Sequence, residues 1–507
     1  MGRFVNARTP GTKRGLKGCD RGGTGFCPLL TFTAGPGGRM SLVSQDWFPR
    51  LGQSMNTAFF SDLLASISEK GRSLLGRKEL DVDPTRRAAG VIDLCEAVLS
   101  GRGEASGVAL AREALDGYAR LDPPSRLTFF EALAERFGPD PKRLAQAVED
   151  WRENPCGRTG TELHFAAEPR RQELFRRFNR APGGTASLVR MRQDLLDFKS
   201  DREDLATLDR DFSHLLASWF NRGFLVLRRI DWSTSASVLE KIIRYEAVHA
   251  IRDWDDLRSR IDPVDRRCYA FFHPALNDDP LIFVEVALTE QIPAAIAPLL
   301  SSSRQVADLS KARTAVFYSI SNCQRGLDGI SFGNFLIKQV VEELRRELPQ
   351  LENFVTLSPV PGFMKWLSSE AQALPEEDRE IAKALANPAW AGEVAKPEAL
   401  RKGVENLAAE YFLHAKGANG RPRDPVARFH LGNGARLERI NYLGDLSPKA
   451  LRDGAGLMVN YLYVLDEIEA NHEAYANKKE VAASTAVRRM LRNNGRSRLQ
   501  VSSGSSN

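Results

Sequence analysis

The apolar positions of the first half of the chain recur at helical spacing. In residues 60–67 they fall at i, i+3, i+4 and i+7, which places them on one face of an α-helix. Similar stripes occupy residues 188–198 and 205–219. The pattern predicts a helical region from about residue 56 to residue 220, with these stripes as core or as helix–helix contacts.

After Gly223 the pattern changes to alternation and to short continuous apolar runs, which are typical of strands. One amphipathic segment, residues 333–348, interrupts them and predicts a helix. The fold class expected is α+β and multidomain, with an all-helical domain followed by a mixed α/β domain. The predicted strands are residues 224–230, 268–273, 281–289, 314–321, 353–358, 427–431 and 435–442.

Composition shifts suggest where the domains begin and end. The polar run SDRED at 200–204 carries a Ser-Asp helix-start signal, so we expect a helical domain over 40–203 and a mixed domain over 204–478. A polar, helix-prone insertion precedes residue 427. We expect residues 1–39 to be a disordered or non-native extension and residues 479–507 to be a flexible tail.

The charge distribution argues against a polyanion-binding protein. The chain has 71 Lys and Arg against 65 Asp and Glu, a net charge of +6. Residues 1–39 account for that whole excess, so the remainder is neutral and gives no basis for a nucleic-acid partner. No run approaches the roughly 18–20 apolar residues of a membrane helix, so we expect no membrane partner.

The cysteines and histidines show no metal-binding spacing. None of the six cysteines forms a CxxC pair, and the seven histidines include no HxH or HExxH motif. We therefore predict no metal site. Unpaired, scattered cysteines also favour a reducing compartment.

A glycine-rich loop separates the predicted strand 314–321 from the predicted helix. Gly326, Gly329 and Gly333 keep its backbone approachable, and the helix N-terminus that follows suits a phosphate. It lacks both the Walker and the dinucleotide spacing. From the residues alone, a phosphate loop and a plain turn are about equally supported.

Two further stretches could carry chemistry. Ser358 ends a predicted strand, and Pro359 and Pro361 stiffen the backbone after it, although a capping or turn serine is the more ordinary explanation. His430 precedes a Gly-Asn-Gly turn, which could aim a titratable group at a ligand or be only a turn.

Five blocks follow one another in the second half of the chain: HPALNDDPLIFVEVALT, VFYSIS with QRGLDGISFGNFLIKQVVEELRRELP, LSPVPGFMKWL, DPVARFHLGNGARLERIN and GLMVNYLYVLDEIEAN. Together, and in this order, they are similar to the malonyl-CoA decarboxylase family. The resemblance implies a helical domain used in oligomer contacts and a catalytic domain of the GNAT acetyltransferase fold. It also implies malonyl-CoA and acetyl-CoA as ligands, and a homo-oligomer, either tetramer or dimer.

The same resemblance implies roles for individual residues. The catalytic histidine and serine of the family fall on His430 and Ser358, and two residues that support activity fall on Ser319 and Tyr463. The glycine loop corresponds to the CoA pyrophosphate site.

Two residues complete the expected substrate site. Animal members carry a glutamate at the position of Ser331, so that role is absent here or is taken by another group. Asn433 belongs to the same corner as His430. The C-terminal SSGSSN lacks the SKL peroxisomal address, so we expect a cytoplasmic protein.

The chemistry of decarboxylation accounts for these residue types. Loss of CO2 from malonyl-CoA leaves an enolate that the thioester itself stabilises, so we expect no cofactor. The hypothesis is that His430 and Ser358 hold the malonyl carboxylate and supply a proton, with Tyr463 and Ser319 positioning the acyl group. We expect His430 to titrate near its reference pKa of about 6.5.

Two other functions remain open from sequence. One is an acyl-CoA-dependent N-acyltransferase, which the GNAT fold also serves but which leaves the corner at His430 unexplained. The other is a non-catalytic acyl-CoA-binding or scaffold protein, which would bind CoA without turnover.

Overall fold

Helices fill the first part of the structure. The computed structural model describes residues 84–100, 103–199, 202–330, 336–392 and 396–491. The predicted extension 1–39, the stripe at 60–67, Ser331 and Gly333 lie outside these residues. The first helices are α1 (Pro84–Leu99), α2 (Glu104–Ala119), α3 (Pro123–Arg136), α4 (Pro141–Glu153), α5 (Gly157–Ala167), α6 (Arg170–Arg180), α7 (Gly184–Phe198) and α8 (Glu203–Trp219).

Aromatic side chains form the centre of this helical region. Phe129, Phe130, Phe175 and Phe212 are fully buried, and the rings of Phe175 and Phe212 stack with centroids 4.1 Å apart. Helix α8 packs against α3, α6 and α7. The helices therefore continue past residue 203, where the sequence placed the domain boundary, and end at Trp219.

The described strands form one sheet. Their order is β1-β2-β3-β4-β5-β8-β6, and β7 also pairs with β8. The pairs are antiparallel except for β4 and β5, which run parallel. The strands are β1 (Val226–Ile230), β2 (Arg266–Phe272), β3 (Pro280–Thr289), β4 (Thr314–Asn322), β5 (Asn353–Thr356), β6 (Ser358–Pro359), β7 (Arg436–Asn441) and β8 (Met458–Leu462).

This architecture confirms the predicted sequence of a helical region followed by a mixed α/β region. The sequence did not predict β8, which pairs with β5, β6 and β7. The remaining helices are α9 (Ala236–Tyr245), α10 (Trp254–Ile261), α11 (Ala297–Leu300), α12 (Leu336–Glu347), α13 (Phe363–Glu370), α14 (Glu376–Leu385), α15 (Lys396–Leu413), α16 (Pro425–Gly432), α17 (Pro448–Gly454), α18 (Ile468–Lys478) and α19 (Thr485–Met490). No helix within the described ranges is long and apolar enough to cross a bilayer.

Different hydrophobic clusters cover the two faces of the sheet. Ile242 of α9 and Leu257 of α10 pack with Phe283 on one face. Val340 of α12 packs with Phe317 on the other face, in a cluster that is continuous with the helical region. Helix α12 therefore packs on the face of the sheet whose hydrophobic cluster also includes the N-terminal helices.

The pairing of β4 with β5 ends partway along β4. It runs from Thr314 opposite Asn353 to Phe317 opposite Thr356. Beyond that point the chain turns to β8 through β6. We call the place where the two strands are no longer paired, between residues 318–322 and residues 357–359, the strand gap.

Candidate active site

Ser358 lies where the chain changes its partner strand. It follows the last β4–β5 pair by two residues, and its backbone pairs with Val459 of β8. Pro359 comes directly after it, which fixes the local backbone. The buried side chain of Ser358 therefore lines one side of the strand gap.

His430 lies in helix α16, although the alternation of residues 427–431 predicted a strand. Asp424 caps the helix by accepting a hydrogen bond from the backbone N–H of Ala427 at 2.8 Å, and Pro425 occupies the first helical position. A capping carboxylate followed by proline is a strong helix start. The strand prediction is wrong because the Asp-Pro helix start is a stronger signal than an alternating pattern of only five residues.

The glycine corner after His430 ends the helix and brings it against α18. Gly434 has φ +82°, a left-handed conformation that glycine adopts without a steric penalty. A Cβ at this position would lie 2.2 Å from the carbonyl oxygen of Ile468. The N–H of Ala435 donates back to the carbonyl of His430 at 3.0 Å. The corner thereby fixes the end of the helix that carries the imidazole.

A hydrogen-bonded chain runs through the imidazole of His430. Its Nδ1 lies 2.8 Å from the hydroxyl of Tyr463, and its Nε2 lies 3.2 Å from Oγ of Ser358. Ser358 in turn donates to Oγ1 of Thr356 at 2.9 Å. The ring of Tyr461 stacks on the imidazole with centroids 4.7 Å apart. The structure thus brings together three residues that the sequence singled out.

Burial keeps the hydrogen-bonded side chains of His430 and Tyr463 neutral. His430 is 3% exposed, and burial lowers its pKa to about 3. Burial also raises the pKa of the Tyr463 hydroxyl well above its ordinary value. The expectation that His430 titrates near pH 6.5 is therefore wrong for the unliganded protein, because a buried imidazolium would lose its hydration.

Ser319 occupies the opposite side of the strand gap. Like Ser358 it follows the last β4–β5 pair by two residues. Its hydroxyl donates to the Glu246 carboxylate at 2.7 Å, and no hydrogen bond between described residues joins it to His430 or Ser358. The same carboxylate accepts from the backbone N–H groups of Val248 and His249, each at 2.8 Å. Ser319 therefore belongs to a separate polar cluster.

A cleft of about 470 Å³ lies beside His430. Its walls come from the glycine loop, the start of α12, the end of α16 and helix α18. Gly329 and Asn433, both predicted as site residues, lie on its surface. The lining residues are Leu281, Ile282, Asn322, Gln324, Leu327, Asp328, Gly329, Ile330, Leu336, Arg421, Arg428, Phe429, Gly432, Asn433, His472, Tyr475 and Ala476.

The two described glycines of the loop have different surroundings. Gly329 has φ +76° and faces the cleft. Gly326 lies against α7 instead, where a Cβ would come within 1.9 Å of the carbonyl oxygen of Val189. The carbonyl of Gly326 accepts a hydrogen bond from Arg192 at 2.7 Å. Gly326 thus anchors the loop to the helical region and does not line the cleft.

Cationic side chains line the outer part of the cleft. Arg421 is exposed, and Arg428 is half-buried with its guanidinium held by the carbonyls of Pro422 and Arg423. Asp328 lies across from them, and burial raises the pKa of its carboxyl group. This arrangement gives the cleft a positive side that can meet an anionic ligand.

A second groove of about 470 Å³ lies at the other end of the sheet, beside β1 and the C-terminal end of α12. Its charged residues are paired with one another, Arg229 with Glu347 at 3.3 Å and Arg346 with Glu343. None of its lining residues comes from α16 or from the strand gap. We therefore take the cleft beside His430 as the candidate site.

Three residues of the site region were not predicted from the sequence. Thr356 stands two residues before Ser358, a spacing that puts both side chains on one face of an extended chain. Arg428 stands two residues before His430, but the mistaken strand gave no reason to select it. Glu246 lies 73 residues from Ser319, and no local pattern connects them.

Family models match both halves of the chain. The malonyl-CoA decarboxylase N-terminal domain matches residues 137–220, and the malonyl-CoA decarboxylase C-terminal domain matches residues 223–501, more than half of the chain. The chain belongs to the malonyl-CoA decarboxylase family. This confirms the family inferred from the five sequence blocks.

Individual members of the malonyl-CoA decarboxylase family show the same relationship. The protein named malonyl-CoA decarboxylase, mitochondrial, from Anser anser anser is 37% identical over 408 residues, which is 73% of this chain and 81% of that protein. Its Rattus norvegicus counterpart is 36% identical over 353 residues, 64% of this chain and 72% of that protein.

Solved structures of family members are also similar. The crystal structure of malonyl-CoA decarboxylase from Rhodopseudomonas palustris has a TM-score of 0.77 and 59% identity, and it covers 79% of this chain and 99% of that one. The structure of the Agrobacterium vitis protein has a TM-score of 0.76 and 55% identity, and it covers 80% of this chain and 100% of that one.

Proposed function

We infer that this chain is a malonyl-CoA decarboxylase, a carbon–carbon lyase that converts malonyl-CoA to acetyl-CoA and CO2. The observation that carries the proposal is the buried chain Tyr463, His430 and Ser358 beside the cleft. Asn433, in the corner that follows His430, lines the same cleft. We place the CoA part of the ligand in the cleft and its acyl part toward the strand gap.

The cleft suits the phosphate groups of CoA. Arg421 and Arg428 supply cations, and the glycine loop exposes its backbone at Gly329. Guanidinium groups and backbone N–H groups are the usual phosphate donors in proteins. We place the pyrophosphate at this loop and the phosphate-bearing ribose toward the two arginines.

The connection between β4 and β5 supports a GNAT-like catalytic domain. The two strands are parallel, and the glycine loop and α12 form the crossover between them. Their pairing ends after Phe317 and Thr356, which leaves the strand gap for the pantetheine arm. In this placement the thioester lies between Ser319 and Ser358.

The reaction itself needs electron withdrawal and one proton. The bond between the carboxylate carbon and Cα breaks, CO2 leaves, and the electron pair remains on Cα. The thioester carbonyl takes up that charge as an enolate, so the substrate supplies its own electron sink and no cofactor is needed. Cα then takes a proton from the enzyme, which yields acetyl-CoA, and water reprotonates the donor.

The neutral chain on the β6 side of the gap is suited to these steps. The imidazole N–H of His430 can stabilise an oxyanion and deliver the proton. Ser358 lies 3.2 Å from Nε2 of that ring and holds the imidazole in place for this role. Tyr463 bonds to the far nitrogen of His430, so we assign it to orienting the imidazole. Ser319 gives its proton to Glu246, which leaves its oxygen free to accept a pantetheine amide N–H.

The test follows the products directly. Purified protein without added metal or cofactor is incubated with malonyl-CoA, and acetyl-CoA and CO2 are measured by mass spectrometry. His430→Asn is expected to lower kcat by at least 100-fold. The matched control is His414→Asn, because His414 is exposed and pairs only locally with Glu410 at 2.8 Å.

Each result has a definite meaning. Equal amounts of acetyl-CoA and CO2 from the wild type and the control, with little from His430→Asn, support the proposal. Absence of CO2 would contradict it, and acyl transfer to an added amine would then favour the N-acyltransferase. Full activity in His430→Asn would move the chemistry away from α16.

The proposal also covers the oligomeric state, the partners and the cellular location of the enzyme. We propose a homo-oligomer, in line with the resemblance to the family, with no nucleic acid or membrane partner. We also propose a cytoplasmic location. The described cysteines, Cys95, Cys156, Cys268 and Cys323, are all free thiols, which is consistent with a reducing compartment.

A further inference from the structure

Thr356 ends the hydrogen-bonded chain that begins at Tyr463. Its side chain is fully buried at the end of β5. Its Oγ1 accepts from the hydroxyl of Ser358 at 2.9 Å and from the backbone N–H of Tyr461 at 3.1 Å. A hydroxyl oxygen has two acceptor lone pairs, so both are occupied. No sequence feature had singled out this threonine.

The contact of Ser358 with Thr356 determines where each proton lies in the hydrogen-bonded series from Thr356 to Tyr463. Ser358 has one hydroxyl proton, which it gives to Thr356. Toward His430, Ser358 can therefore only accept, so Nε2 must carry the imidazole proton. A neutral imidazole carries one proton, which leaves Nδ1 bare. Nδ1 then accepts from Tyr463, whose buried hydroxyl thereby finds its acceptor.

We infer that Thr356 is a positioning residue that, together with Tyr463, holds His430 in the tautomer protonated on Nε2. Thr356 acts from the Ser358 end of the chain, and Tyr463 acts from the Nδ1 end. The protein therefore sets the tautomer of His430 through two partners on different strands, one on β5 and one just after β8.

The use of this tautomer rests on the proposed function. An N–H at Nε2 faces Ser358 and the strand gap, so it can donate to the malonyl carboxylate or to the enolate oxygen. The other tautomer would present a bare lone pair to an anionic substrate. If Thr356 could not accept, the Ser358 hydroxyl could rotate and donate to Nε2, which would favour that second tautomer.

The first measurement is made on the free wild-type enzyme. Protein labelled with 15N at its seven histidines is studied by NMR, and the resonances missing from His430→Asn identify His430. The two ring nitrogens resonate far apart according to which one carries the proton. We expect protonation on Nε2. Protonation on Nδ1 would overturn the inference, whatever the variants do.

The second measurement uses Thr356→Val, which keeps the shape and removes the acceptor. We expect a mixture of His430 tautomers, a kcat about tenfold lower, and a KM for malonyl-CoA within twofold of wild type. Thr356→Ser, which restores the hydroxyl, should return both readouts toward wild type. Thr314→Val is the control, because Thr314 is equally buried on β4 and does not contact Ser358.

The outcomes separate this inference from the proposed function. A Thr356→Val protein with wild-type kcat and an unchanged tautomer would show that Thr356 only fills space. If Thr356→Val fails to fold, the wild-type spectrum still decides the tautomer. A wild type that makes no acetyl-CoA would contradict the proposed function, and the NMR result on the free protein would stand independently.

Discussion

On the β4 side of the strand gap a carboxylate is the centre of the hydrogen bonds, whereas on the β6 side every group is neutral. Both sides are buried: Ser319 is 1% exposed and Ser358 is 6% exposed. Glu246 accepts from two serine hydroxyls, Ser319 and Ser321, and from two backbone N–H groups. Among the residues that the structure describes, His430 has no comparable charged partner, and burial lowers its pKa.

This difference shows that burial alone does not decide the chemistry of a side chain. What matters is how many donors or acceptors the fold supplies to it. Glu285, next to the Glu246 cluster, illustrates the point, because burial and the charge of Glu246 raise its pKa to about 8 against the opposing effect of Arg260. The β4 side thus has a carboxylate at its centre, and the β6 side has neutral hydrogen-bonding groups.

The largest expected effect is on the neutral side. Ser358→Ala removes the hydroxyl that links Nε2 of His430 to Thr356. The imidazole then loses the contact that fixes its proton, and we expect kcat to fall about 100- to 1000-fold. Steady-state measurement of acetyl-CoA checks it. Ser368→Ala is the control, because Ser368 is exposed and bonds only to the carbonyl of Met364. Equal losses in the two variants would contradict the assignment.

Glu246→Ala should destabilise the protein through the β4 side of the strand gap. Ser319, Ser321 and two backbone N–H groups lose their acceptor, so we expect the free energy of unfolding to fall by about 3 kcal/mol. Urea unfolding measures it. Glu246→Gln keeps an acceptor oxygen and should lose about half as much. The exposed Glu240→Ala on α9 should change stability by less than about 0.5 kcal/mol.

Glu285, on the β4 side of the strand gap, should make the stability of the protein fall as pH rises. Its pKa in the folded protein, about 8, is above its unfolded value, so its contribution to stability is full below pH 4.5 and is lost as pH rises through 8. From pH 6 to pH 8 the wild type should lose about 2 kcal/mol that Glu285→Gln does not lose. Parallel stability curves in urea would contradict the assignment.

Gly329→Ala should produce a smaller effect, in the cleft. The position has φ +76°, and a residue with a Cβ is strained there by about 1–2 kcal/mol. We expect the KM for malonyl-CoA to rise about three- to tenfold with kcat nearly unchanged. Gly138→Ala is the control, because Gly138 has open space around it and lies in the helical region. A lower kcat with an unchanged KM would place Gly329 outside CoA binding.

The smallest expected effect concerns His430, which should not titrate near neutral pH. The pKa of His430 in the free protein is about 3, so its ring resonances should not titrate between pH 5.5 and pH 8. The sign for stability follows, since the unfolded histidine takes up a proton below about pH 6.5 and the folded one does not. Stability from this group is full above pH 6.5 and declines as pH falls toward 3. A titration midpoint near 6.5 in the NMR spectrum would contradict the buried, neutral imidazole.

Local patterns in the sequence predicted most of the strands because each is a run of buried or alternating side chains. Residues 281–289 and 314–321 lie within β3 and β4. The alternating pattern predicted the wrong element at residues 427–431, because the helix start formed by Asp424 and Pro425 favours a helix there. It also left β8 unassigned, although β8 supplies the partner for β6.

The site was predictable where a local sequence pattern marked it. Gly329, Ser358 and His430 were candidates from their own surroundings, and the resemblance to the family then implied that Ser358 and His430 act together, although 72 residues separate them in the chain. Thr356 and Glu246 were not found, because their importance comes from contacts that exist only after folding. The pKa expected for His430 was also wrong, since a motif does not reveal how completely its histidine is buried.

The contact between Gly326 and Val189 limits how far the two halves of the chain can be treated as modules. The glycine loop rests on α7 with no room for a side chain, and Arg192 holds its carbonyl while also pairing with Asp209 at 2.7 Å. A catalytic half expressed alone would lose the surface that shapes its own ligand loop. The helical region thus supports the loop that we propose as the CoA phosphate site, and exchanging helical regions between relatives should succeed only when this contact is preserved.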